Sequence, residues 1–349
     1  MPQGGNSLNP HIVGEPTYDG LARYIEQKNV RKILVLAGAG ISVAAGIPDF
    51  RSPNTGLYAK VDKYNLASPT DAFSLQLLQE RPEVFYNIVC EMDLWPGKFW
   101  PTPVHHFIKL LADKGRLLRC CTQNIDGLER CCGIPNSLLV EAHGSFSSAS
   151  CIKCRSLYDI NVASQEAKRG EVPHCTQCGG VVKPDVVLFG EKLPVSFFQA
   201  YEDIMETDLL LIMGTSLQVH PFAELAFKVR PDVPRVLFNL ERVGGSMFHF
   251  PTDDIGPSAT ATTTTTTTTS SSRGGSGSGS GSSRSSSSSE GFSQYRHYPV
   301  HSEDVCRDIF FPGDCQTSVR RLAEAMGLGE QLSASIREGE KKRERKYEE

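Results

Sequence analysis

The run Ile33-Leu34-Val35-Leu36-Ala37, followed at once by Gly38-Ala39-Gly40, constrains this chain more than any other stretch. A wholly apolar run of this length reads as a strand of a parallel sheet, covered on both faces. Gly38 and Gly40 let the backbone turn sharply and approach a ligand closely. A helix starting there would point unpaired N–H groups and its positive dipole end at an anion such as a pyrophosphate. The dinucleotide fingerprint is nevertheless broken. Val43 stands where a third glycine would fall, and no acidic residue about twenty positions on ends a second strand. Instead Gly46-Ile47-Pro48 leads Asp49, Phe50 and Arg51 into a loop. A carboxylate, an aromatic wall and a guanidinium suit work at the glycosidic end of a nucleotide better than hydride transfer.

With 349 residues and a net charge of −4, the chain fits one large domain with a small insert, and nothing global points to nucleic acid or an anionic membrane. No apolar run approaches the roughly eighteen residues of a membrane span. The N-terminus lacks the marks of a secretory signal or a transit peptide, so the expected compartment is reducing. Residues 1–15 read as flexible.

Further apolar runs recur along the chain, each ending in polar residues. Leu117–Cys121 ends in Thr122-Gln123-Asn124-Ile125-Asp126 and Leu138–Val140 in Glu141-Ala142-His143-Gly144. Asp208–Met213 ends in Gly214-Thr215-Ser216 and Arg235–Phe238 in Asn239-Leu240-Glu241. Taken singly, Asn124 and Asp126 are more simply turn caps and His143 a structural histidine. Ligands of open α/β sheets sit beyond the carboxyl ends of strands, however, and five such ends converging make a nucleotide site. A histidine there, with an ordinary pKa near 6.5, suits a general base. Val186–Phe189, ending in Gly190-Glu191, reads as a strand that Pro184 confines to an edge or a start. Such an edge could take a peptide by strand addition. Amphipathic helices are expected over Thr17–Lys28 and Val104–Lys114, and Trp95, Phe99 and Trp100 are expected to form a lid or wall.

Cys151-x-x-Cys154 and Cys175-x-x-Cys178 form two knuckles separated by 20 residues. In a reducing compartment these read as a four-thiolate zinc site, saturated and hence structural, rather than as disulfides. The module spans about 145–182. From 252 to 294 the composition collapses to Thr, Ser and Gly, which cannot bury a core. Structure resumes at Asp304–Phe311, so the tract is a loop inside the domain; each doubling of loop length adds only about 0.6 kcal/mol. Residues 331–349 form a charged tail, read as a solvated helix end or a nuclear localisation signal.

Gly38-Ala39-Gly40-Ile41-Ser42, Gly46–Arg51, Thr122–Asp126, His143-Gly144, the four cysteines, Lys183–Val187, Phe189-Gly190-Glu191 and Gly214–Ser216 together resemble the sirtuins. These are NAD-dependent protein lysine deacylases. The resemblance runs from about Tyr18 to Gly327, omitting the Thr/Ser tract, and is closest to the group of cytoplasmic/nuclear and mitochondrial deacetylases. It implies a Rossmann-like parallel sheet with helices on both faces, a small zinc-binding domain, and a catalytic domain over 16–330. It also implies transfer of an acetyl group from lysine to ADP-ribose, with release of nicotinamide and O-acetyl-ADP-ribose.

By the same resemblance, Ala39, Gly40, Ser42 and Arg51 would hold the pyrophosphate of NAD, within a binding stretch that includes Gly38, Ile41, Val43, Asp49 and Gln123. Thr215, Ser216, Asn239 and Glu241, with Gly214, Leu240 and the Cys315 backbone, would hold the adenosine half. Asn124 and Asp126 would bind the nicotinamide amide beside Phe50, and His143 would act as base on the ribose hydroxyls. Val187, Phe189 and Ile125 would line the acyl-lysine tunnel, and Gly190, Glu191 and the segment at Val219 would flank the substrate backbone. Expected partners are acetyl-lysine proteins, with histone tails or tubulin as family-level examples, in the cytoplasm or nucleus. Val43 departs from the family's usual threonine. Ala59 and Asp62 stand where desuccinylases carry a Tyr/Arg pair, which favours acetyl or longer aliphatic groups. Mono-ADP-ribosyl transfer from the same NAD site is the competing activity.

Overall fold

The structure, a computed structural model, describes residues 11–48, 61–250 and 305–348. Asp49, Phe50, Arg51, Ala59 and the 252–294 tract lie outside the described residues. Nine strands are present among those described: β1 (Ile33–Ala37), β2 (Leu117–Thr122), β3 (Leu139–Glu141), β4 (Gly144–Cys151), β5 (Leu157–Tyr158), β6 (Val182–Val186), β7 (Leu209–Met213), β8 (Arg235–Asn239) and β9 (Asp308–Pro312).

Six of them form one parallel sheet in the order β3-β2-β1-β7-β8-β9. The strand order reverses between β1 and β7, the switch point of a doubly wound sheet. Both faces are covered, which is why β1 and β7 are apolar throughout. Ile33, Val35 and Ala37 pack with the helices Tyr18–Gln27, Pro103–Asp113 and Cys315–Ala325. Leu34 and Leu36 face the opposite layer, built from the helix Val195–Glu206 and the 3-10 segment Phe222–Phe227. The period-two alternation of side chains thus splits one apolar run between two cores.

A smaller antiparallel sheet, β5-β4-β6, carries the cysteines. Beside it a third core joins the helices Leu75–Glu80 and Pro82–Met92 to Trp95, Phe146 and Leu188. β6 is an edge strand and contains Pro184, as expected, but it occupies 182–186, earlier than the run Val186–Phe189. β4, a serine-rich strand, and the helix Ile160–Lys168 were not foreseen.

Three further expectations are corrected. Among the described residues no α-helix starts at Gly40: the chain makes two short 3-10 turns, Ala39–Ile41 and Val43–Ala45, the second closed by Gly46 at φ 90°. Residues 11–15 are seated, not loose: His11 bridges Cys306, and Val13 is buried. The tail is more than a solvated end, because the helix Gly329–Glu348 buries Leu332 and packs Ile336 against the main core.

Where β8 and β9 begin, Arg235 and Asp308 stand opposite each other in register. They form a two-pronged ion pair at 2.6 Å with both side chains almost fully buried. Arg235 also donates to the carbonyls of Ala226 and Met247, and Asp308 accepts from the His249 N–H. Removing one partner strands a buried charge. Asp308→Ala is therefore expected to lower unfolding stability by about 3–5 kcal/mol, read as a lower urea midpoint at unchanged slope.

Candidate active site

The turn after β1 and the turn after β7 touch backbone to backbone. Gly38 N–H donates to the Met213 carbonyl and Gly40 N–H to that of Gly214, at 3.0 and 2.8 Å. A Cβ on Gly40 would lie 2.7 Å from Gly214 Cα, and one on Gly214 would lie 2.6 Å from Ile41 N. These glycines therefore bring two strand ends together, where the sequence suggested close approach to a ligand. Ile41 points into the core, and its carbonyl is taken by Thr102 and Gln316. Val43 is half exposed.

Just after β2, Gln123 ties three strand ends. Its N–H donates to the Ala37 carbonyl, its side-chain amide reaches the Thr215 hydroxyl at 3.3 Å, and its carbonyl lies 3.0 Å from Nδ1 of His143. A carbonyl only accepts, so Nδ1 of His143 carries the proton and Nε2 is left as the basic nitrogen. Burial pushes the His143 pKa down from 6.5, partly opposed by the Gln123 carbonyl, so the ring is neutral at pH 7. Gly144, at φ 68°, leaves no open space beside it: a Cβ there would meet the Asp185 carbonyl at 2.0 Å.

Asn124 is buried and donates to the Gly38 carbonyl and the Ser42 hydroxyl, both at 3.2 Å. Asp126 accepts from Leu128 N–H at 2.9 Å; burial raises its pKa, against the steadying contacts of Leu128 and Ser42. Ala39, Ser42, Asn124, Ile125 and Asp126 line a cavity of about 240 Å3. Its other wall includes Ile47, Pro48, Leu94 and Phe99. Of the aromatic segment foreseen as a wall, Phe99 serves; Leu94 had no sequence signal beyond being apolar.

Thr215 is buried and capped by Leu217 N–H, and the Asn239 amide reaches its carbonyl at 3.4 Å. Cys315 is buried, its thiol on the Phe238 carbonyl. Ser216 and Glu241 lie on the same edge; Leu240 is exposed.

The segment 187–191 differs from a bare strand edge. Val187 N–H donates to the His143 carbonyl, Phe189 N–H to that of Phe73, and Leu75 N–H to that of Phe189. Buried Lys183 donates to the Val186 carbonyl and pairs with Glu191 at 3.1 Å, while Glu191 accepts from Leu188 N–H. Glu191 thus shapes this turn from within. Phe189 is half exposed, and Val219 is half-buried. In the sequence Lys183 stood out only as part of the motif Lys183–Val187, with no role for its side chain; the signal for one was a lone charge inside the run Val181-Val182-Lys183-Pro184.

The four cysteine sulfurs converge within 4.8 Å. Cys151 and Cys178 are 3.5 Å apart, and Cys154 and Cys175 3.6 Å. The edge of a zinc–thiolate tetrahedron is about 3.8 Å, so the donor set fits zinc. Lys153 N–H and Gln177 N–H point at the sulfurs of Cys151 and Cys175, as around thiolates.

The Sir2 family model matches residues 38–221. The chain belongs to the Sir2 family. Among its relatives in that family, NAD-dependent protein deacetylase SIR2rp1 of Trypanosoma brucei brucei is 65% identical over 329 residues, covering 94% of this chain and 93% of that protein. The protein of the same name from Leishmania major is 57% identical over 348 residues, with the same coverage. NAD-dependent protein deacetylase sirtuin-2 of Danio rerio is 47% identical over 247 residues, 70% of this chain and 65% of that protein. The resemblance read from the motifs is therefore established at the level of the family. Among the described residues, no helix is long and apolar enough to cross a membrane.

Proposed function

We propose that this Sir2-family chain is an NAD-dependent protein lysine deacetylase, releasing nicotinamide and O-acetyl-ADP-ribose. The observation that carries the reading is a convergence at the sheet's switch point. The cavity lined by Ser42, Asn124 and Asp126 lies at the end of β2, where Gln123, the next residue, fixes the proton of His143 on Nδ1. Bound there, NAD would supply the acceptor ribose and nicotinamide as leaving group. The donor set fits: Asn124 offers an amide and Asp126 a carboxylate, complementary to a carboxamide that both donates and accepts.

In this reading Ala39, Gly40 and Ser42, with Arg51, hold the pyrophosphate. Thr215, Ser216, Asn239 and Glu241 hold the adenosine half beside the Cys315 backbone. His143, through Nε2, takes the proton from a ribose hydroxyl. Ile125, Val187 and Phe189 line the path of the acyl-lysine, flanked by Gly190 and Val219, with Glu191 acting through its pair with Lys183. One catalytic unit over 16–330, with the zinc module inserted in it, goes with this assignment.

The test is purified protein with an acetyl-lysine peptide and NAD, read by mass spectrometry. The expected result is deacetylated peptide and O-acetyl-ADP-ribose, neither formed without NAD. Unchanged peptide with a protein-bound ADP-ribose would instead support mono-ADP-ribosyl transfer. No use of NAD would overturn the reading.

A further inference from the structure

Behind the cavity wall lies a buried polar group outside the roles assigned above. His105 from the helix Pro103–Asp113, Asp126, and Glu129 from the turn Leu128–Cys131 bring ligand-type atoms within 4.8 Å of one another. His105 and Glu129 are fully buried. Among the described residues, Nε2 of His105 and both carboxylate oxygens of Glu129 have no hydrogen-bond partner, although such groups are rarely left so.

The proton on His105 can be placed. Thr102 N–H donates to Nδ1 at 3.1 Å, while the Thr102 hydroxyl donates to the Ile41 carbonyl at 2.8 Å. Nδ1 is thus an acceptor, and a neutral ring must carry its hydrogen on Nε2, facing the carboxylates. An imidazole with that tautomer has no lone pair left there for a metal, so a cation is not the occupant. Two carboxylates this close and this dry do not both ionise. One of them keeps its proton, in a group whose ligand-type atoms, Nε2 of His105 included, lie within 4.8 Å of one another.

We propose that Glu129 is a positioning residue for Asp126: a proton shared in this buried group holds the two carboxylates together and keeps Asp126 aimed into the cavity. The proposal rests on the reading that Asp126 receives the amide of NAD. Glu129 is faced by Asp126 on its own loop, Arg130 beside it, Glu141 from β3, Cys120 from β2, Cys132, and His105 from the helix above. Burial, first, and then the Asp126 charge raise its pKa.

Two measurements test this. Unfolded, Glu129 gives up its proton near 4.5; folded, it keeps it to higher pH. Between those values the folded state holds the extra proton, so stability falls as pH rises. Glu129→Gln removes that dependence. Its melting temperature relative to wild type should therefore climb steadily from about pH 5 to about pH 8. In the deacetylation assay, kcat/KM for NAD should fall with rising pH in wild type once Glu129 ionises. The fall should be flattened in Glu129→Gln, while Glu129→Ala, which removes the carboxylate beside Asp126 and His105 altogether, loses about tenfold or more at every pH. If Glu129→Gln does not fold, Asp126→Asn replaces it in the melting series, where the pH dependence should shrink. Melting curves that keep the wild-type pH dependence, or an unaltered alkaline fall in kcat/KM, would overturn the proposal. Wild type that consumes no NAD would overturn the deacetylase reading instead, and the melting series would still decide where the proton lies.

Discussion

Cys175→Ser is expected to abolish stoichiometric zinc binding and unfold the small sheet. Structural zinc contributes its binding energy directly to folding, roughly 10–16 kcal/mol in small zinc modules, and three thiolates do not saturate the ion. The loss should also reach the catalytic edge. β4 starts at Gly144, next to His143, and β6 ends at Val186, next to Val187. Val187 N–H in turn holds the His143 carbonyl. The zinc therefore ties the far ends of two strands whose near ends carry the proposed base and the acyl-lysine path. Metal analysis and hydrogen exchange would check this: exchange should rise across β4 to β6 while β1 and β7 stay protected. A zinc-free Cys175→Ser protein with wild-type melting and turnover would show that the metal is dispensable.

His143→Ala is expected to fold, to keep its zinc, and to lose about a hundred- to ten-thousand-fold in turnover, the usual contribution of a general base. The wild-type pH profile carries a second signature. His143 acts when neutral, and burial moves its pKa below 6.5, so the acid limb of the profile, the one His143 sets, should lie on the acid side of 6.5. A mid-point at or above the ordinary histidine value would mean that Nε2 is more solvated than its surroundings indicate. Comparable turnover in His143→Ala would remove the residue from the chemistry.

Much of this was legible in the sequence, and what escaped did so for particular reasons. The runs at β1, β2, β7 and β8 are apolar because both faces are covered, and that composition is visible without coordinates. The knuckle spacing announced the zinc site for a similar reason, since ligand geometry is local. β4 was missed because Gly-Ser-Phe-Ser-Ser-Ala-Ser-Cys has no β-branched residue; pairing with β6 makes it a strand. β6 was placed too late because Val187, Leu188 and Phe189 are apolar, yet the Lys183–Glu191 pair bends them into a turn. The helix expected to start at Gly40 is replaced by two 3-10 turns, which propensity alone does not distinguish from a first helical turn. Glu129 was the least visible. In Leu128-Glu129-Arg130 a glutamate reads as solvent-facing, and only the packing of the helix Pro103–Asp113 over it makes it a buried acid.

The clamp between Arg235 and Asp308 has a practical side. His249 N–H donates to Asp308 at 2.7 Å and the Cys306 thiol to the His249 carbonyl at 3.0 Å, so the chain on either side of 251–304 is joined at its base. Whatever the length between, the sheet meets the same closed junction, and β8 and β9 keep their register. This is the place to graft a fluorescent reporter or a second domain, since the added mass would hang from a fastened seam on the sheet's outermost strand pair, away from the junction of β1 and β7.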